Sequence, residues 1–112
     1  MKELAQKLRE FAAKRDWEQF HSPKNLSMAL SVEVAEIVEL FQWLTEEESY
    51  KLPPDKLDKT KEEIGDVVIY LAMLADKLGI DPVEAAWEKI STNEVKYPVE
   101  KVKGSSQKYS EI

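Results

Sequence analysis

Cysteine is absent from this chain, so neither a disulfide framework nor a thiolate-held zinc ion is available, which fits a reducing compartment. No uninterrupted apolar run approaches the roughly 18 residues expected of a membrane span. The opening MKELAQKLREF lacks the apolar stretch of a secretory leader, and the expectation is a soluble, cytoplasmic protein without a membrane partner. Cations are scarce: 16 Lys and Arg against 22 Asp and Glu leave a net charge of −6. That balance argues against binding nucleic acid, whose backbone is met by clustered Lys and Arg. An anionic ligand would need a bridging cation, and a divalent ion held by surplus carboxylates would supply one. Glycine occurs three times and histidine once.

What is present is the composition of a helix-rich globular protein, 43% hydrophobic and 34% charged over 112 residues, enough for one compact domain and too little for two. Leu4, Leu8, Phe11 and Ala12 repeat at helical spacing and predict a first helix over about residues 2–15. After RDWEQFHSP, where Pro23 can begin a helix, Asn25 is the expected N-cap of a second helix reaching Leu44. TEEESYKLPPDKLD (Thr45–Asp58) reads as a polar connection broken by Pro53 and Pro54. A third helix is predicted from about Lys59 to Leu78, closed by Gly79 in a left-handed cap. Asp81, Pro82 and Glu84 read as N-cap, first helical residue and capping acid of a fourth helix ending near Lys96, before Pro98. The expected organisation is an all-α, four-helix bundle domain over 1–98 and a polar C-terminal tail over 99–112 that orders only against a partner or substrate.

The second and third predicted helices share an anomaly. On a helical wheel Glu33 falls within about 60° of Leu26, Leu30, Ile37, Leu40 and Leu44, and Glu36 lies beside it. Glu63 likewise shares its arc with Val67, Tyr70 and Leu74, with Asp66 adjacent. Met28, Val32, Val34, Ala35 and Val38, and Ile64, Val68, Ile69, Leu71 and Ala72, make the remaining circumference apolar, so both helices are expected to be buried nearly all round. Each carries two acids at i, i+3, where side chains about 5–6 Å apart at Cβ share one ligand. Four buried carboxylates repel one another unless a hard divalent cation joins them, and Mg²⁺, with Mn²⁺ as the alternative, is the natural candidate. The plainer reading of such acids is a solvated helix face with salt bridges. A di-iron bundle would require two Glu-x-x-His pairs, and His21 lies between helices.

On the fourth helix Lys89, Asn93 and Lys96 fall on one face and offer two cations and an amide to phosphate oxygens, or simply a solvated face. Trp17, Phe20, His21 and Trp43 gather around the ends of the first two helices, where aromatics either stack a base or pack an interface.

With E33-V-A-E36 and E63-I-G-D66 in view, the sequence resembles the all-α MazG-like nucleotide pyrophosphohydrolases, whose metal motif is E-x-x-E…E-x-x-D. RDWEQFHSPKNL, ELFQW, DVVIYL and N-E-V-K-Y-P are similar to segments of its dCTP pyrophosphatase branch and extend the resemblance over nearly the whole chain. The resemblance implies an enzyme, a magnesium-dependent nucleoside triphosphate pyrophosphohydrolase that converts dCTP or a modified dCTP to the monophosphate and pyrophosphate in nucleotide-pool housecleaning. It implies that Glu33, Glu36, Glu63 and Asp66 hold the metal and that Lys89 and Asn93, with Lys96 beside them, meet phosphates. Trp17 and Trp43 would enclose the base, with His21 nearby and Tyr70 lining the site. Glu36 and Glu63 are both candidates for the catalytic base. It also implies a homo-oligomer, a tetramer built as a dimer of dimers, with part of the apolar circumference as subunit interface. The chain departs from the branch at Leu8, where the branch carries a histidine, and in a shorter Thr45–Asp58 connection. The alternatives are a sibling acting on dUTP or several dNTPs, and a non-enzymatic helical oligomer or adaptor.

Overall fold

The computed structural model describes residues 1–106. Every regular element among them is helical: α1 (Lys2–Lys14), a 3₁₀ turn (Glu18–Phe20), α2 (Pro23–Phe41), α3 (Glu46–Ser49), α4 (Pro54–Lys77), α5 (Pro82–Lys96) and α6 (Val99–Val102). The expected all-α class is therefore observed. The chain forms two compact units, Met1–Ile80 with α1 to α4, and Asp81–Ile112, which is described as far as Ser106. No helix among the described residues is long and apolar enough to cross a membrane.

The first unit is organised on α4, along which α2 packs as its main partner and against which α1 also lies. Leu26 on α2, Ala12 on α1, and Thr60, Ala72 and Ala75 on α4 form its buried centre. Arg9 on α1 clamps to α4 through an Nε donor to Asp76 Oδ2 at 3.0 Å.

Several boundaries differ from those predicted. The N-cap of α2 is Ser22, whose Oγ accepts from the Asn25 N–H at 3.1 Å with Pro23 in the first turn. Asn25 instead donates from Nδ2 to the Phe20 carbonyl at 3.0 Å and ties the 3₁₀ turn to α2. The helix ends at Phe41, three residues short of Leu44. The polar connection contains α3, opened by a reciprocal capping box: Glu48 N–H donates to Thr45 Oγ1 at 3.1 Å, and Thr45 N–H donates to Glu48 Oε1 at 2.9 Å. α4 begins at Pro54, five residues before Lys59, because a proline in the first helical turn has no hydrogen bond to lose and the pair Pro53-Pro54 starts the helix instead of interrupting it.

The cap at the other end of α4 is as predicted, with Gly79 at φ +68 and the Ile80 N–H returning to the Ala75 carbonyl at 2.9 Å. Asp81 Oδ1 accepts from the Val83 and Glu84 N–H groups as the N-cap of α5. The segment after Pro98 begins with the helical turn α6, and residues 107–112 of the expected tail lie outside the described residues.

Near-complete burial of the two acid-bearing helices is not observed within one copy of the chain. Met28, Val32, Val34 and Val38 on α2, and Ile64 and Leu71 on α4, are exposed. Coverage within one copy is confined to the faces where α2 and α4 meet and where α1 lies on α4, and the acids are half-buried.

Candidate functional site

Because α2 and α4 pack side by side, the residues on their facing stripes converge. Glu33 and Glu36 come from one stripe and Glu63 from the other, all three half-buried. A carboxylate oxygen from each lies within 4.8 Å of the others, and the three could hold a metal ion. Ionised carboxylates only accept hydrogen bonds, so a contact between two of them is a bond only while one holds a proton. Glu33 Oε2 and Glu63 Oε2 are buried and have no donor. In Met1–Ile80 the ion pair among the described residues is Arg9 with Asp76, which leaves the acids without a cation.

This crowding is registered in their titration. The Glu63 carboxyl is pushed up to about 7, first by the hydrogen bond it shares with Glu36, then by burial, then by Glu33. Glu33 is also raised, chiefly by burial, then by its side-chain contact with Glu36, with the charges of Glu36 and Asp66 adding to the shift. An all-oxygen set with two orphaned acceptors suits a hard divalent cation, whose charge would replace the missing donors. Asp66 lies near enough to act on Glu33 through its charge but is not one of the three converging acids.

Asp66 instead lines a neighbouring cleft. Leu8, Phe11, Trp17, His21, Ile69, Tyr70 and Met73 complete its walls around a volume of about 270 Å³. Trp17, His21 and Tyr70 are thus brought together, and Asp66 places this cleft next to the acid cluster. Its walls are mainly apolar and aromatic, with residues bearing an imidazole, a carboxylate, a phenol and an indole N–H among them, a lining suited to a flat heterocycle with a hydrogen-bonding edge.

Trp43 does not line this cleft in one copy of the chain; it stands beyond the end of α2, 87% exposed. Lys89, Asn93 and Lys96 lie along α5 in the second unit, Lys89 exposed and the other two half-buried. Phe11, Ile69 and Met73 were not foreseen as cleft residues, and Leu8 was singled out only as a departure from the family pattern. Leu8 and Phe11 carry the apolar signal of an ordinary amphipathic helix. Ile69 and Met73, however, continue the α4 arc of Asp66 at i+3 and i+7, and that spacing marks them as neighbours of an acid already singled out.

The model of the MazG-like family matches residues 28–112. dCTP pyrophosphatase 1 of Mus musculus is 46% identical over 105 residues, covering 92% of this chain and 62% of that protein. The Homo sapiens protein of the same name is 45% identical over the same shares. The chain thus spans 62% of the length of these curated relatives. Among solved structures, a pyrophosphatase from Archaeoglobus fulgidus DSM 4304 matches with a TM-score of 0.82 and 44% identity, over 88% of this chain and 92% of that one.

Proposed function

Since the chain belongs to the MazG-like family, we propose that it is a magnesium-dependent nucleoside triphosphate pyrophosphohydrolase, acting on dCTP or a modified dCTP and releasing the monophosphate and pyrophosphate. The observation that carries this reading is the convergence of Glu33, Glu36 and Glu63 within 4.8 Å beside an aromatic cleft. The named activity of the relatives supports the substrate class.

Glu33, Glu36 and Glu63 would hold Mg²⁺, with Mn²⁺ able to replace it and Asp66 as the adjacent fourth acid. When bound, such an ion supplies positive charge against triphosphate oxygens and makes nearby water more acidic. The residues of the chain do the rest. Glu36 or Glu63 takes the proton from the attacking water, both being close enough to share one. Trp17 and Tyr70 flank the base, His21 and Asp66 offer its edge an imidazole and a carboxylate, and the cleft walls exclude water from that side. In the second unit Lys89, Asn93 and Lys96 are the proposed phosphate contacts. The apolar outer faces of α2 and α4 support assembly into a homo-oligomer, in this reading a tetramer.

The test is pyrophosphate release from dCTP, dTTP, dUTP, dATP and ATP, with magnesium and with chelator. Magnesium-dependent release greatest for dCTP is expected, whereas equal release from several triphosphates would remove the cytidine preference. In water labelled with heavy oxygen the label should enter the monophosphate; label in pyrophosphate would refute attack at the α-phosphorus. Glu33→Ala should reduce turnover by about a hundredfold or more with the helical fold intact, since both charge and positioning are lost. Full turnover by that variant in magnesium would remove the metal assignment, and no release from any triphosphate would favour a non-enzymatic helical oligomer.

A further inference from the structure

α1 ends in a conformation that the sequence makes costly. Asp16 has φ +54, the left-handed region, and is the one non-glycine residue in it among the described residues. This lets the chain reverse in one step: the Asp16 N–H reaches the Ala13 carbonyl at 3.1 Å, and the Trp17 N–H reaches the Ala12 carbonyl at 3.0 Å. These are the paired bonds of a Schellman cap, with Asp16 at its left-handed position and Trp17 immediately after it. The apolar contact that accompanies such caps is present, as the Trp17 and Phe11 rings meet edge to face with centroids 5.8 Å apart at 69°. The Arg15 guanidinium covers Phe11 at 3.6 Å and donates to the Phe11 carbonyl at 3.1 Å. Gln19 Nε2 in turn donates to the Asp16 carbonyl at 2.9 Å and to its carboxylate at 3.2 Å.

Phe11 and Trp17 are both walls of the cleft, yet Trp17 remains 45% exposed and is not wedged in place by burial. Its direction is set by the backbone turn before it. The geometry points to Asp16 as a positioning residue for substrate recognition: its left-handed conformation aims the Trp17 indole along the cleft, where its ring meets the Arg15-covered Phe11 ring. Asp supports this role because its short polar side chain tolerates the left-handed region, whereas a β-branched side chain does not. The assignment of the cleft to a nucleotide base rests on the proposed function; the control of Trp17 by Asp16 does not.

The experiment uses the full chain labelled with 5-fluorotryptophan. Its three tryptophans give three ¹⁹F resonances, and Trp17→Phe identifies the one of interest. Asp16→Gly, which keeps the left-handed turn, should leave the Trp17 resonance in place and KM for dCTP within about twofold. Asp16→Val should shift or broaden that resonance alone and raise KM by about fivefold to tenfold, with kcat changed less than about twofold. Asp16→Ala should do the same to a smaller degree, and it carries the test if the valine variant does not fold. A resonance and KM that stay put while only the melting temperature falls would overturn the proposal, leaving a merely structural cap. So would a glycine variant as disturbed as the valine one, which would trace the effect to the carboxylate and not to the turn. If no triphosphate is hydrolysed the enzymatic reading fails, while the ¹⁹F comparison still decides whether Asp16 sets Trp17.

Discussion

Removing the charge from Glu63 would separate the cost of the acid cluster from its use. Its ordinary value is 4.5, and in the folded chain it is pushed up to about 7. The folded state thus binds a proton more tightly than the unfolded one, and the stability this contributes is present in full below about 4.5 and lost as pH rises through about 7. Without divalent ions the melting temperature should therefore be higher near pH 5 than near pH 8, and magnesium should flatten the fall by supplying charge where the proton leaves. A metal-free profile that rises over this window would contradict the crowding. Glu63→Gln should melt higher than the unaltered chain at about pH 8 without metal, and should gain nothing on adding magnesium. Equal magnesium stabilisation of both proteins, followed by calorimetry, would show that the cation binds elsewhere. The three acids were legible because an acid on an apolar arc is conspicuous at the level of single residues. The different place of Asp66 was not, because which acids of two stripes meet depends on the axial stagger of α2 against α4, and no pattern within one helix records that stagger.

Caps decide where each element begins, and these were read with uneven success for a physical reason. Asp81 before Pro82 and Gly79 after Leu78 were legible because each residue type matches one backbone role. At α2 the expected cap was Asn25, but the helix is capped by Ser22, because Pro23 after it has no N–H to leave unpaired in the first turn. Asn25 then serves the 3₁₀ turn, so the segment bearing His21 is held through the side chain that had been expected to begin the helix. Two substitutions should consequently differ. Ser22→Ala removes the acceptor for one orphan N–H and should cost about 1 kcal/mol of stability, read as a lower denaturant midpoint with unchanged magnesium affinity. Asn25→Ala releases the turn and should weaken binding of dCTP more than it lowers the denaturant midpoint. A larger loss of stability at Asn25 than at Ser22 would reverse the assignment of the cap.

The molecule as a whole leaves more apolar surface uncovered than its inner seam explains. On α2 Met28, Val32, Val34 and Val38 are exposed, Val34 and Val38 on the side away from Glu36, and Ile64 and Leu71 of α4 are exposed as well. The sequence showed that these helices are apolar nearly all round, but hydropathy cannot distinguish a side chain covered by its own chain from one covered by a second copy. A lone chain would present a run of valines to water along a helix whose opposite side carries charge, an arrangement typical of an association surface. The tetramer proposed above predicts that sedimentation velocity will find that species for the unaltered chain. Val34→Glu combined with Val38→Glu should shift it to smaller species, because two carboxylates would have to be buried unpaired at the contact. Val34 and Val38 lie roughly 160° around the helix from Glu36, away from the acid cluster, so magnesium binding per chain should survive dissociation. An unaltered tetramer in the double variant would mean that α2 turns this face to solvent and that another surface makes the assembly.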